Sequence, residues 1–307
     1  MKRHKLAIVA CAILVVVAIV IGVCWAVSGP LRKQQNNVSV KPANAASHLE
    51  TVSYDIAYQG KRYAKTASVY VPAKYRKGTP MNILYLMHGS WTTGPKLAKQ
   101  MQGSLDESLL NKPLLVVFPT YYPDDTFEVR DYHKDYALNR FFATDEIEPL
   151  MRAVESRFTT YSSGVSEADF VASRTHRAFG GYSMGGITAW EMLAAKPQYF
   201  HDFMPMAECS WINKTTGGTT DEDTAASLVA GLRARNYGAN DVTVIAMTGE
   251  KDESKSGMIP QIDALRKTQG DLMTTQNLIY WENPGGKHGL PSLKVEVSHG
   301  VPYLFAQ

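Results

Sequence analysis

Cysteine is scarce: of the three in 307 residues, Cys11 and Cys24 fall within an apolar N-terminal stretch, so only Cys209 belongs to the body of the chain. That count excludes an intramolecular disulfide there and any cysteine-based tetrahedral zinc site. The body also lacks net charge. With Lys2, Arg3 and Lys5 set aside, 29 basic residues face 29 acidic ones, so the overall +3 gives no basic surface for a nucleic-acid partner. No internal repeat is present, and a 45% hydrophobic, 20% charged composition rules out a disordered or fibrous chain.

Long uncharged apolar runs are confined to one place. Met1-Lys2-Arg3-His4-Lys5 precedes Leu6–Val27, 22 residues without a charge, roughly 33 Å as a helix and enough to cross a bilayer. The run exceeds the apolar core of a secretory signal, and the small-x-small site behind it, Ala43-Asn44-Ala45, lies well downstream. The segment therefore reads as an uncleaved signal anchor over residues 1–27, with a cleaved signal peptide as the alternative. The basic cluster keeps its end cytoplasmic and turns the remainder outward. Residues 28–48, polar and rich in Asn, Gln, Ala and Ser, read as a tether, and 49–307 as one domain.

From Leu49 the pattern becomes that of a sheet. Leu49–Gln59 and Arg62–Pro72 alternate β-branched or aromatic residues with polar ones around Gly60-Lys61, an antiparallel hairpin. Asn82–Met87 is nearly all apolar, as a strand buried on both faces must be. Further strands are predicted at Leu114–Phe118, Arg177–Tyr182, Phe203–Met206, Val242–Thr248 and Leu278–Glu282. Helices are predicted at Lys96–Leu110, Leu138–Phe158, Met184–Ala195, Asp221–Asn236, Ile259–Gln269 and Ser292–Phe305. Such alternation specifies an α/β fold, mostly parallel, with helices on both faces. Two connections, Thr120–Ala137 and Ser210–Thr220, are longer than turns require, and such loops are usually functional.

Gly181-Tyr182-Ser183-Met184-Gly185 follows a predicted strand and opens a predicted helix. This is the G-x-S-x-G turn that presents a serine at the edge of a sheet; the alternative is a glycine-rich turn with an idle serine. A serine hydroxyl needs a histidine to take its proton and a carboxylate to orient that histidine. Downstream stand His201, His288 and His299. His288 directly follows the strand Leu278–Glu282 and is the candidate base, while His201 and His299 fit surface or capping roles. Asp252 follows the strand Val242–Thr248 and is the candidate acid, with Glu250 and Glu253 beside it. Oxyanion donors are expected at the N–H groups of Met184 and Ser90, and His88 reads as structural. Trp91, Tyr121, Tyr122, Tyr182 and Trp211 are candidates for an aromatic wall against substrate, the alternative being that the loop tyrosines pack their own loop. Cys209 reads as a small buried hydrophobe.

Taken together, His88-Gly89, Arg177–Gly186, Phe203–Met206, Thr248–Asp252 and Pro284–His288 resemble the esterase D-like α/β-hydrolases, in particular carbohydrate esterase family one with its feruloyl and acetylxylan esterases. The resemblance implies an α/β-hydrolase fold, no cofactor or metal, and a Ser183–Asp252–His288 triad. The expected activity is hydrolysis of feruloyl or acetyl esters of carbohydrates, in a membrane-anchored extracytoplasmic enzyme. Two other readings are an acyltransferase on envelope glycans and a catalytically silent hydrolase-fold domain that binds a surface.

Overall fold

The computed structural model describes residues 46–127 and 131–306, all within the unit Asn44–Gln307. The apolar run Leu6–Val27 and most of the tether lie outside the described residues. Among the described residues no helix is long and apolar enough to cross a membrane.

Strands β1 (His48–Tyr58) and β2 (Lys61–Val71) pair antiparallel over their full lengths. The hairpin closes at Gln59 and Gly60, with φ of 48° and 77°, the left-handed pair that matches strand twist in a two-residue turn. Six more strands follow: β3 (Ile83–Met87), β4 (Leu115–Phe118), β5 (Arg177–Tyr182), β6 (Asp202–Met206), β7 (Thr243–Gly249) and β8 (Leu278–Asn283). The sheet order is β1-β2-β4-β3-β5-β6-β7-β8, antiparallel through β4 and parallel from there on. The predicted strands are all present, shifted by a residue at some ends.

β3 shows why the sheet is covered twice. Ile83, Tyr85 and Met87 belong to one apolar cluster, and Leu84 and Leu86 to a second on the opposite face. Helices α1 (Gly94–Ser108) and α6 (Leu290–Gly300) contribute to the second cluster, and α2 (Ile147–Glu155), α3 (Met184–Ala195), α4 (Asp221–Arg233) and α5 (Lys255–Thr268) to the first. With every β3 side chain buried, alternation vanishes and a continuous apolar run remains.

The predicted helix Leu138–Phe158 starts earlier, at Tyr136, and is interrupted by a wide turn, Phe142–Glu146. That turn carries Glu146, a fully buried carboxylate that takes hydrogen bonds from Lys65 Nζ (2.5 Å) and Tyr54 Oη (2.6 Å); wide turns of this kind are rare, single-turn insertions in a helix. A short helix, Glu167–Ala172, and a turn of helix, Asn213–Thr216, inside the predicted loop Ser210–Thr220 had no clear apolar periodicity.

The strand that leads to the serine is held at its other end by a buried ion pair. Arg177 donates Nε and Nη2 to the two oxygens of Glu155 at 2.8 and 2.9 Å, and Tyr85 and Thr160 donate to the same carboxylate. Arg177 Nη1 also donates to the carbonyls of Phe170 and Tyr199. A bidentate guanidinium with every partner in place fixes direction as well as position.

Candidate active site

Ser183 sits between β5 and α3 with φ of 57° and ψ of −123°, a left-handed conformation that a side chain adopts only when its surroundings impose it. They do so here. The Ser183 N–H donates to the Met206 carbonyl on β6 at 2.9 Å, and the Ser183 carbonyl accepts from Gly186 and Ile187 as the helix starts. The turn is so tight that a Cβ on Gly181 would lie 2.1 Å from the Gly185 carbonyl oxygen. Backbone cannot yield to that clash locally, so Gly181→Ala is expected to cost about 3 kcal/mol of stability. Thermal unfolding checks this: an unchanged midpoint would mean that the turn is looser than described.

Three of the residues singled out by their order in the sequence meet here. His288 Nε2 lies 3.0 Å from Ser183 Oγ, and His288 Nδ1 lies 3.0 and 2.9 Å from the two oxygens of Asp252. A carboxylate only accepts, so Nδ1 carries the proton and Nε2 is left as acceptor for the serine hydroxyl. The Asp252 side chain is buried, whereas that of His288 is 45% exposed. This chain of contacts can remove a proton from Ser183 Oγ and stabilise the imidazolium that results.

The protonation behaviour agrees with that use. The Asp252 hydrogen bond raises the His288 pKa, burial lowers it, and the negative charges of Asp252, Glu208 and Glu296 leave it above the ordinary value. Burial pushes Asp252 upward, but the bonds from His288 and from the Ser254 N–H outweigh it, so Asp252 stays below the usual carboxylate range. The alternatives fall away from this chain: Glu250 accepts from the Gly285 N–H, His201 pairs with Asp202, and His299 stacks on Trp281 at 3.8 Å.

Met184 opens α3, so its N–H has no partner within the helix. Gly89 presses on the serine from the end of β3: a Cβ built there would lie 3.0 Å from Ser183 Cβ. The next residue, Ser90, thereby follows directly on the one packed against Ser183. Neither the Met184 nor the Ser90 N–H has a protein acceptor among the described residues. His88, fully buried, donates from Nδ1 to the Gly89 carbonyl at 2.6 Å and accepts from the Thr120 hydroxyl at 2.8 Å. Burial brings its pKa down to about 3, so it is neutral and braces the loop.

The expected aromatic wall divides. Tyr121 and Tyr122 are buried in the core, where their hydroxyls donate to Asp135. Tyr182 is buried too; its hydroxyl accepts from the Gly289 N–H, and its ring lies 5.0 Å from the His288 ring. These three are placed inside because each polar tip has an internal partner. Trp91, 61% exposed, and Trp211, half-buried, reach the surface. Around Trp211 are Tyr136, Tyr132 and His133, and Lys214 Nζ stands 3.3 Å above its ring. Cys209 is mostly buried beside Glu208, and burial pushes its thiol up to about 12, so it is an inert neighbour.

Sequence reading missed two carboxylates whose charges reach His288. Glu296 is fully buried on α6, accepts from Ser292 at 2.7 Å, and is pushed up to about 7 by burial. Its i, i+4 relation to Ser292 reads as an ordinary helix face. Glu208 follows the end of β6, the sheet edge where sites of this architecture form, and that placement was a usable signal.

The Esterase family model matches residues 63–269. The chain is 27% identical over 258 residues to endo-1,4-beta-xylanase Y of Acetivibrio thermocellus; the match covers 81% of this chain and 22% of that protein, so the chain spans about a fifth of that relative's length. A mutant feruloyl esterase module from Clostridium thermocellum, solved with sinapinate, is 26% identical with a TM-score of 0.71, the match covering 85% of this chain and 89% of that one. A ferulic acid esterase from the fungus Anaeromyces mucronatus shares the fold at 15% identity and a TM-score of 0.60, over 84% of this chain and 91% of its own.

Proposed function

The chain belongs to the Esterase family, whose model matches two thirds of it, and from that premise we propose that it hydrolyses hydroxycinnamoyl esters of carbohydrates, with Ser183 as nucleophile, His288 as base and Asp252 as its orienting acid. The observation that carries the reading is the continuous contact chain Ser183 Oγ, His288 Nε2, His288 Nδ1, Asp252. Ser183 Oγ adds to the ester carbonyl as its proton passes to His288 Nε2. The N–H groups of Met184 and Ser90 receive the oxyanion, and the sugar hydroxyl leaves with the proton from His288. Water then repeats the sequence on the acyl-serine, releasing the acid and restoring the enzyme. No step of this sequence calls for a metal or cofactor.

The acyl part of the substrate is inferred from Trp211. Its half-buried ring, on the loop after β6 and flanked by Tyr136 and His133, carries Lys214 Nζ 3.3 Å over one face, an exposed flexible lysine that a phenolic ring displaces to stack on the indole. The likeness to a feruloyl esterase module bound to sinapinate supports the same class. We place the catalytic domain outside the cytoplasmic membrane, tethered through residues 6–27, on the strength of the apolar run and the basic residues before it.

The test compares p-nitrophenyl acetate, methyl ferulate and acetylated xylan. Methyl ferulate is expected to be the best substrate by kcat/KM, and Trp211→Ala to raise KM for it by about tenfold while leaving p-nitrophenyl acetate within about twofold. Activity on acetyl esters alone would replace the hydroxycinnamoyl assignment with a short-acyl one. Transfer of the acyl group to an added sugar in place of water would make the chain an acyltransferase.

A further inference from the structure

Asp135 is a fully buried carboxylate that the reaction above does not use, and it is the meeting point of three hydroxyls. Its Oδ2 accepts from Ser90 Oγ at 2.5 Å, from Tyr122 Oη at 3.0 Å and from Tyr121 Oη at 3.1 Å, while its Oδ1 has no hydrogen-bond partner among the described residues. Burying a carboxyl group with half its acceptor capacity unmet is costly, and apolar residues of similar volume would hold a fold at least as well. Where a local arrangement is this unfavourable and still present, it usually serves a site.

The hub's partners identify the site. Ser90 is one of the two expected oxyanion donors, and the Trp91 N–H faces the Tyr122 hydroxyl, itself bonded to Asp135. Trp91 has φ of 64°, a left-handed backbone that an indole side chain adopts only under constraint. His88 is stacked on Tyr121 at 4.5 Å, so the residue preceding Gly89 leans on the same cluster. Both the residue that would supply the N–H and the strained residue behind it are thus tied to one carboxylate. The next residue, Tyr136, faces the other way: it bonds Glu191 on α3 at 2.7 Å and lies 6.1 Å from Trp211. One short segment therefore links the oxyanion loop, the nucleophile helix and the acyl wall.

We propose that Asp135 is a positioning residue for acyl transfer: it fixes the Ser90-Trp91 turn so that the Ser90 N–H points to where the oxyanion develops. This rests on the esterase reading of Ser183. Asp135 does not touch the substrate; it acts through Ser90 and Tyr122. An oxyanion donor contributes mainly to the transition state, so loss of its alignment is read in kcat and not in KM.

The experiment uses the full chain carrying Asp135→Asn, Tyr122→Phe, Ser90→Ala, and the Asp135→Asn/Ser90→Ala pair. Kinetics on p-nitrophenyl acetate are combined with hydrogen exchange of the amides of residues 89–91. Asp135→Asn is expected to lower kcat by about 10- to 100-fold with KM within about twofold, and to speed exchange at those amides. In the Ser90→Ala background the same substitution should cost less than it does alone, because Ser90→Ala has already removed one of the two arms through which Asp135 acts, the Tyr122 arm remaining. Unchanged kcat in folded Asp135→Asn, or full additivity in the pair, would overturn the proposal. If Asp135→Asn does not fold, Tyr122→Phe, which removes one hydroxyl of the hub, must show the same kcat loss and faster exchange, and failure to do so counts equally against it. A wild-type chain with no esterase activity would defeat the esterase reading itself; the exchange comparison alone then decides whether Asp135 orders the turn.

Discussion

Ser183→Ala is expected to lower kcat by at least about 10⁴-fold on every ester the wild type cleaves, leaving the residue that binding and the oxyanion groups sustain without a nucleophile. The magnitude follows from the position of the hydroxyl. Ser183 Oγ is 3.0 Å from the acceptor nitrogen of His288, whereas the neighbouring side chains are poor substitutes. Tyr182 has its hydroxyl engaged with Gly289, and the Cys209 thiol is held protonated by burial. Water attacking directly would have to be activated by His288 without the acyl-enzyme route, which divides one difficult step into two easier ones. The substitution leaves the turn intact. Its restraints are the bonds of the Ser183 backbone to Met206, Gly186 and Ile187, so the thermal midpoint should remain close to wild type. A variant that keeps more than about a hundredth of the turnover with an unchanged midpoint would place the nucleophile elsewhere.

Asp252→Asn should cost about 10³- to 10⁴-fold in kcat/KM and also shift its pH dependence. Both oxygens of Asp252 lie within 3.0 Å of His288 Nδ1. An amide can turn its NH₂ toward that nitrogen and favour the tautomer with the proton on Nε2, where the base must instead be free to accept. The sign of the shift follows from the ionisation of His288. The base works when neutral, and its folded-state pKa stands above the ordinary 6.5, chiefly through the Asp252 hydrogen bond. Wild-type kcat/KM therefore rises with pH and levels off above that raised pKa. Removing the charge of Asp252 lowers the pKa and moves the acid limb to lower pH. Glu208 and Glu296 also raise the His288 pKa, so the limb does not fall as far as burial alone would take it. A profile unchanged in position would mean that the limb belongs to another group, and the buried Glu296, pushed up to about 7, is the one to replace next.

How much of this could be read from the sequence depends on whether the signal was local. β3 announced itself because a strand buried on both faces needs only apolar side chains, and β1–β2 because a hairpin edge alternates. Ser183 was legible from the turn it requires, and His288 and Asp252 from their places after β8 and near the end of β7. Contacts made through space were not legible. Asp135 lies 45 residues from Ser90, and nothing in its neighbourhood marks a carboxyl group destined for the interior. Tyr121 and Tyr122 on the long loop Thr120–Ala137 suggested a wall facing substrate, but composition does not say which way a ring points. Tyr121 and Tyr122 turn inward because their hydroxyls find Asp135, and Trp211, outside that run, is left at the surface. The wide turn at Phe142–Glu146 was hidden for a related reason: the inward turn of Glu146 is set by Lys65 and Tyr54, some 80 and 90 residues away.

Covalent labelling with a fluorophosphonate, followed by peptide mass spectrometry, puts the central claim to the most direct test. Such a reagent traps a serine only where a base activates the hydroxyl and donors receive the developing oxyanion, so one adduct reports the whole arrangement. The expected result is a single modified peptide, labelled on Ser183, with labelling lost in Ser183→Ala and strongly slowed in His288→Ala. A folded chain that remains unlabelled, or that is labelled at another residue, would contradict the assignment of Ser183, His288 and Asp252 as an esterase triad.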